Sequence, residues 1–108
     1  MLKTFVVSMI AGVAFAATVH AQPVYYDVVR GASPHDVAAT PGGGPVYYTA
    51  QRTGKLGIVD PKTRKVEEIA LGSGSSPHGV IVGPDGGAWV TDSGQESGTD
   101  RLVMVPSK

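Results

Sequence analysis

Hydrophobic and polar positions divide this chain into two unlike parts. Residues 5–17 form one nearly unbroken apolar run. Beyond residue 21 no apolar pattern with a helical period occurs. Instead, short apolar stretches rich in β-branched and aromatic residues alternate with clusters of Gly, Pro, Asp and Ser, which is how strands and their turns are written. The pattern predicts strands over 35–40, 46–50, 56–60, 66–71, 78–83, 88–92 and 101–106, with a further isolated strand over 24–29. Turn chemistry sits where they end. Pro41-Gly42-Gly43-Gly44 and Pro84-Asp85-Gly86-Gly87 follow the first strand of each group, and Asp60-Pro61-Lys62-Thr63 follows a third strand with Pro preset for a tight turn. The class is all-β.

The strands repeat. Ser33-Pro34-His35-Asp36-Val37 returns as Ser76-Pro77-His78-Gly79-Val80, and the Pro-Gly turn returns with it, both at an offset of 43. Val46-Tyr47-Tyr48-Thr49-Ala50 answers Ala88-Trp89-Val90-Thr91-Asp92 at 42, and Val24–Val29 aligns with Val66–Leu71 at the same offset of 42. Four antiparallel strands in about 42 residues is the size of a β-propeller blade. The expected architecture is a partial β-propeller: an outer closing strand (24–29), one complete blade (35–71) and three strands of a second (78–106). Since closed propellers take about four to eight blades, the segment reads as the front of a longer ring. Isolated, it leaves an uncovered strand edge that invites self-association.

Composition adds place and exclusions. Lys3 followed by the apolar run and by Thr18-Val19-His20-Ala21 has the order of a secretory signal with small residues at the cleavage site. This stretch of 13 residues, interrupted by Ser8 and Gly12, is too short to cross a hydrocarbon core of roughly 30 Å. Residues 1–21 are therefore expected to be a signal peptide cut after Ala21. That leaves residues 22–108 as a periplasmic or secreted chain with no membrane attachment. This remainder is only about one-third apolar, a marginal core for an independent domain of its size. Lys+Arg and Asp+Glu balance at nine each, so nothing marks a nucleic-acid partner. Without cysteine there is neither a disulfide framework nor a thiolate metal site.

Within this frame Ser76-Pro77-His78-Gly79-Val80, Gly83-Pro84-Asp85-Gly86-Gly87, Ala88-Trp89-Val90-Thr91-Asp92 and Leu56-Gly57-Ile58-Val59-Asp60-Pro61-Lys62-Thr63 carry a resemblance. The chain resembles the virginiamycin B lyase (streptogramin lyase) group of seven-bladed propellers, related in style to NHL-type repeats, over about residues 24–106. The resemblance implies a carbon–oxygen lyase that opens the ester of a cyclic depsipeptide by elimination, assisted by a divalent cation such as magnesium. A base then removes the proton α to the carbonyl while a cation stabilises the enolate-like charge. In that group the base and metal ligands, including a Glu-x-His pair, come from later blades. At the corresponding place this chain has Asp92-Ser93-Gly94, and the earlier blade has Ala50 where the acid would stand. No catalytic set is expected here, and the chain alone is expected to be inactive.

His35, His78 and Asp92 remain as candidates for a ligand-facing rim. Each has a structural alternative: the imidazoles can tie loops between blades, and Asp92 can cap the turn into Ser93-Gly94. Trp89 and Tyr47 are expected to pack between neighbouring blades, with Pro34, Pro77, Gly86 and Gly87 as structural positions of the repeat. Gly42-Gly43-Gly44 is not followed by Lys-Ser/Thr or a helix, so it is no phosphate loop. Lys62, Arg64 and Lys65 read as a solvated hairpin tip. The acidic and amide residues of 93–100 match no EF-hand spacing. Two functions remain open: a lyase-like propeller, or a non-catalytic propeller scaffold that binds a small molecule, peptide, glycan or protein in the cell envelope. A metal-dependent lactone hydrolase is a third class with less support. Export is tested by N-terminal sequencing of the chain recovered from the periplasm or medium, where the expected first residue is Gln22; an intact Met1 there would refute the signal.

Overall fold

The computed structural model describes residues 2–15, 20–96 and 100–108. Seven strands follow in order: β1 (Pro34–Ala39), β2 (Val46–Ala50), β3 (Lys55–Val59), β4 (Val66–Ala70), β5 (Pro77–Val82), β6 (Ala88–Asp92) and β7 (Arg101–Val105). They agree with the expected strands to within one residue at each end. β1–β4 form one antiparallel meander and β5–β7 a second, and the described residues contain no helix. These are two successive blades of a β-propeller, the second with three strands.

The sheets stack face to face, which explains why β2 does not alternate between apolar and polar. Val46–Ala50 reads as an almost continuous buried run because both faces of its sheet are covered. Tyr47, Leu56 and the half-buried Ala38 and Ile58 point to the second sheet, where Val80, Ala88 and Val90 meet them with Val82, Val103 and Val105 around the edge. The opposite face of the first sheet carries Tyr48, Ala50 and Val59, packed with Ala32 and with half-buried Tyr26, Val28, Val46 and Val66. Pairing is regular: β2 and β3 join Tyr48 to Gly57 and Thr49 to Leu56, while β6 and β7 join Val90 to Val103 and Thr91 to Leu102. The two blades therefore share one register.

Tyr48 fixes that register in the first blade. Its ring lies across Gly57 of β3, so closely that a Cβ there would meet the ring carbons at 1.9 Å. Its hydroxyl donates to Glu68 Oε1 of β4 at 2.9 Å. Tyr48, Gly57 and Glu68 are opposite one another in the ladder, so one side chain spans three strands. Burial foremost, with the neighbouring Glu68 carboxylate, pushes the Tyr48 phenol well above its usual range. At the β3–β4 hairpin Asp60 Oδ1 accepts from the Lys62 amide at 2.8 Å, giving the turn expected there.

The expected strand at 24–29 does not form. A strand needs a neighbour for its ladder, and none of the described strands lies beside this segment. It stays irregular, with Tyr26 and Val28 half-buried on the outer face of the first blade. The hydrogen bond from Ala32 N to Val29 O (3.0 Å) reproduces that from Ser75 N to Gly72 O (3.3 Å), and Gly31 and Gly74 share positive φ. The structural offset is thus 43 here, in place of 42, which aligns residues 24–28 with Glu67–Leu71. Residues 2–15 carry no regular structure and are exposed. No helix of the described residues is long and apolar enough to cross a membrane.

The Tyr48–Gly57 fit sets a stability test. Gly57→Ala is expected to destabilise the chain by about 1–3 kcal/mol, the usual cost of overpacking, read from the midpoint of urea unfolding. Adding Tyr48→Val should recover most of the loss; an unimproved double variant would refute this account.

Candidate functional site

Between the two sheets the backbones approach most closely at β1 and β5, and next at β2 and β5. The outer strands stand farther apart, so the blades fan outward from β1 and β5, the strands nearest a ring axis. His35 and His78 are the second residues of these strands and are exposed. Their ring centroids lie 3.9 Å apart at an interplanar angle of 41°. The structure therefore brings two of the three candidate rim residues together.

Beneath them is a polar tie that neither histidine side chain makes. The Asp36 amide donates to Thr49 Oγ1 at 3.0 Å, and that hydroxyl donates in turn to the His78 carbonyl at 2.9 Å. The Val80 amide returns to Asp36 Oδ2 at 2.9 Å. Tyr47 adds a bond from its hydroxyl to the Gly86 carbonyl at 2.9 Å. The Val80 amide, foremost, holds the Asp36 carboxyl below the usual carboxylate range, helped by the Val37 amide and by the charge of His35 and His78, against the effect of desolvation. Asp36 was not singled out from the sequence. Its signal was the departure from the repeat, Pro-His-Asp against Pro-His-Gly in the second blade.

Asp92 lies elsewhere, 2% exposed. One carboxylate oxygen accepts from Ser75 Oγ at 2.7 Å and Arg101 Nε at 3.0 Å. The other accepts from the Ser76 amide at 2.7 Å and the Gly94 amide at 3.0 Å. Arg101 also donates to the Leu71 carbonyl at 3.0 Å. Asp92 thus clamps the segment joining the blades onto β6 and β7. Burial alone would raise its carboxyl, but the hydrogen bonds from Ser75, Ser76, Arg101 and Gly94 outweigh it and hold the group below its ordinary value.

Magnesium does not suit the residues present. It takes six oxygens in near-octahedral order, whereas the rim offers two imidazoles and an Asp36 oxygen already tied to Val80. Among the described residues no group of three or more His, Cys, Asp or Glu is placed to hold a metal ion. Imidazole pairs suit zinc, copper or nickel better. The other singled-out positions are structural in placement. Pro77 is buried, Gly86 turns at a φ of 84° and offers its carbonyl to Tyr47, and Gly87 is buried against β7. Pro34 opens β1 and is exposed. Tyr47 packs between the blades at 2% exposure, while its counterpart Trp89 faces away from the first blade and is 42% exposed. Lys62, Arg64 and Lys65 are exposed at the hairpin tip, with Lys65 paired to Glu67 at 2.8 Å. Positions 97–99 of the 93–100 loop lie outside the described residues.

Comparison with protein-family models and with curated protein sequences returns no match. Solved structures do match in fold. A streptogramin B lyase structure superposes with a TM-score of 0.54 at 13% identity, over 76% of this chain and 29% of that one. Hydrazine synthase of Kuenenia stuttgartiensis gives a TM-score of 0.56 at 22% identity, over 85% of this chain and 24% of that one. The chain spans less than a third of either protein, and identities this low establish the propeller fold alone.

The Asp92 clamp generates a pH test. A carboxyl whose folded value is depressed contributes stability above the ordinary carboxylate range and loses it as pH falls through the folded value. Asp92→Asn is expected to cost about 2–4 kcal/mol at neutral pH, since the buried Ser75 hydroxyl and the half-buried Ser76 amide lose a charged acceptor. It should also flatten the fall in stability between neutral and acid pH. Thermal melts across that range check it; an unchanged slope would place the acid sensitivity in Asp36 or Glu67.

Proposed function

We propose that this chain contributes two blades to an exported, lyase-like β-propeller, and that it supplies scaffold and axial wall in place of catalytic groups. The observation that carries this reading is the division of labour among its polar residues. Asp92 is consumed by four hydrogen bonds in a buried clamp, and Asp36 and Thr49 are consumed by the junction between blades. The imidazoles of His35 and His78, on the strands nearest the axis, are left exposed. They suit a polar small molecule or peptide bound across neighbouring blades, not the proton abstraction and charge stabilisation of an elimination.

A second reading, that the whole protein is a carbon–oxygen lyase, is favoured by the fold likeness to streptogramin B lyase. On that reading the base and cation ligands belong to other blades and these two shape the channel. The leader at 1–21 supports export for either reading.

Incubating the purified chain with a cyclic depsipeptide and magnesium tests the element common to both readings, that these two blades carry no catalytic groups of their own. Elimination breaks the ester C–O bond and leaves an alkene and a carboxylic acid, so the opened product keeps the mass of the substrate but changes retention on a column. Hydrolysis would add one water. The expected result for this chain is neither. Calorimetric titration with zinc and with magnesium should show heat for zinc alone, lost in His78→Ala; zinc heat that survives His78→Ala would remove the axial imidazoles from the reading.

A further inference from the structure

The two faces of the second blade differ in a way that its counterpart explains. Its inner face, Val80, Val82, Ala88, Val90, Val103 and Val105, covers the first blade. On its outer face Ile81 is 66%, Trp89 42%, Leu102 69% and Met104 44% exposed. The corresponding residues of the first blade, Ala38, Tyr47, Leu56 and Ile58, are the ones the second blade covers. Two polar groups repeat the contrast. Thr49 Oγ1 and Tyr47 OH donate across the junction to His78 O and Gly86 O. Their counterparts find no such acceptor: Thr91 Oγ1 makes a 3.5 Å bond to Gly79 O in its own sheet, and the Trp89 indole N–H has no partner among the described residues.

The same chain carries the complement. The outer face of the first blade, with Val37, Val46, Tyr48 and Val59, stands in the repeat where Val80, Ala88, Val90 and Val105 stand in the second. The carbonyls of His35 and Gly43 stand where those of His78 and Gly86 accept. Residues 24–28 lie against that face with burial alternating at Tyr26 and Val28. At the structural offset of 43 they occupy the place of an outer strand, Glu67–Leu71, of a preceding blade. The second blade has three strands, and its β7 has no described neighbour on its free side.

We propose that the occupant of this face is a second copy of the chain, joined head to tail. Residues 24–28 of one copy become the fourth strand beside β7 of the other. Transferring the β3–β4 register sets Tyr26 opposite Leu102, Val24 opposite Met104, and Asp27 opposite the oppositely charged Arg101. Ile81, Trp89, Leu102 and Met104 are then covered by the first blade of the partner copy, and Thr91 and Trp89 donate to His35 O and Gly43 O. Such a heterologous contact closes into a ring when its rotation allows and extends as an open chain of copies when it does not. The inference rests on the blade reading above but on no ligand, so a monomeric result would leave the axial binding proposal untouched.

The chain has no cysteine and a single tryptophan, Trp89, which makes the contact directly readable. Tyr26→Cys and Leu102→Cys variants of the full chain are purified separately, mixed and oxidised. The expected result is a disulfide-linked pair in the mixture that neither variant makes alone. Light scattering of the unmodified chain should give a mass of two or more copies, and Trp89 emission should shift to the blue with rising concentration. Leu102→Glu, at an exposed position, should abolish both changes while keeping the β-sheet circular dichroism. A mass that stays at one chain, with Trp89 emission unshifted and no mixed disulfide, overturns the proposal and assigns the face to a different partner.

Discussion

A β-sheet of one blade has two apolar faces and cannot shield both by itself. Every other feature of this molecule depends on that constraint. The Tyr47–Leu56 side of the first blade is dry because Val80, Ala88 and Val90 lie against it. The Thr49 hydroxyl can be fully buried there because it accepts from the Asp36 amide and donates to the His78 carbonyl. A buried hydroxyl without such partners would cost free energy comparable to a lost hydrogen bond. The junction thus combines non-directional apolar burial with a few directional bonds that fix how far one blade slides on the next. In repeat proteins stability is approximately a sum of intrinsic and neighbour terms, and here the neighbour term is large.

The placement of the histidines follows from the same junction. His78 gives its carbonyl to Thr49, and the polar tie of Asp36 to Val80 holds β1 and β5 in step. The backbone of these residues is structural while their imidazoles lie exposed against one another, so the Pro-His start of the repeat serves the architecture without burying the side chain. Asp92 took the opposite course. Its position in the motif suggested a rim, but the segment 72–76 folds over it and turns its carboxylate into an anchor for the chain between blades.

Much of the fold was legible because turn residues and β-branched runs recur in order, and because a 43-residue echo reports one supersecondary unit without any knowledge of contacts. The boundaries of β2, β4 and β6 could be read from Val46, Val66 and Ala88. What could not be read was burial. Tyr47 and Trp89 are equivalent by sequence, yet one is covered and the other is not, because exposure depends on what lies across the face. Residues 24–29 look like a strand by composition, but a ladder needs a neighbour that composition does not supply. The Asp92 cap on the Gly94 amide was legible from the local Asp-Ser-Gly turn, but its bonds to Ser75 and Arg101 were hidden, since those residues carry no motif.

The exchange of Tyr48 over Gly57 in the first blade for Val90 beside Val103 in the second bears on how the two blades diverged. Both pairs fill the same space, one with a large and an absent side chain, the other with two of middle size. Changing a single member leads to either a collision or a hollow, so the two members have to change together. Unequal crossing-over that joined β2 of one blade to β3 of the other would inherit that mismatch. A segment exchanged between the blades would have to carry both strands of the pair to keep its packing.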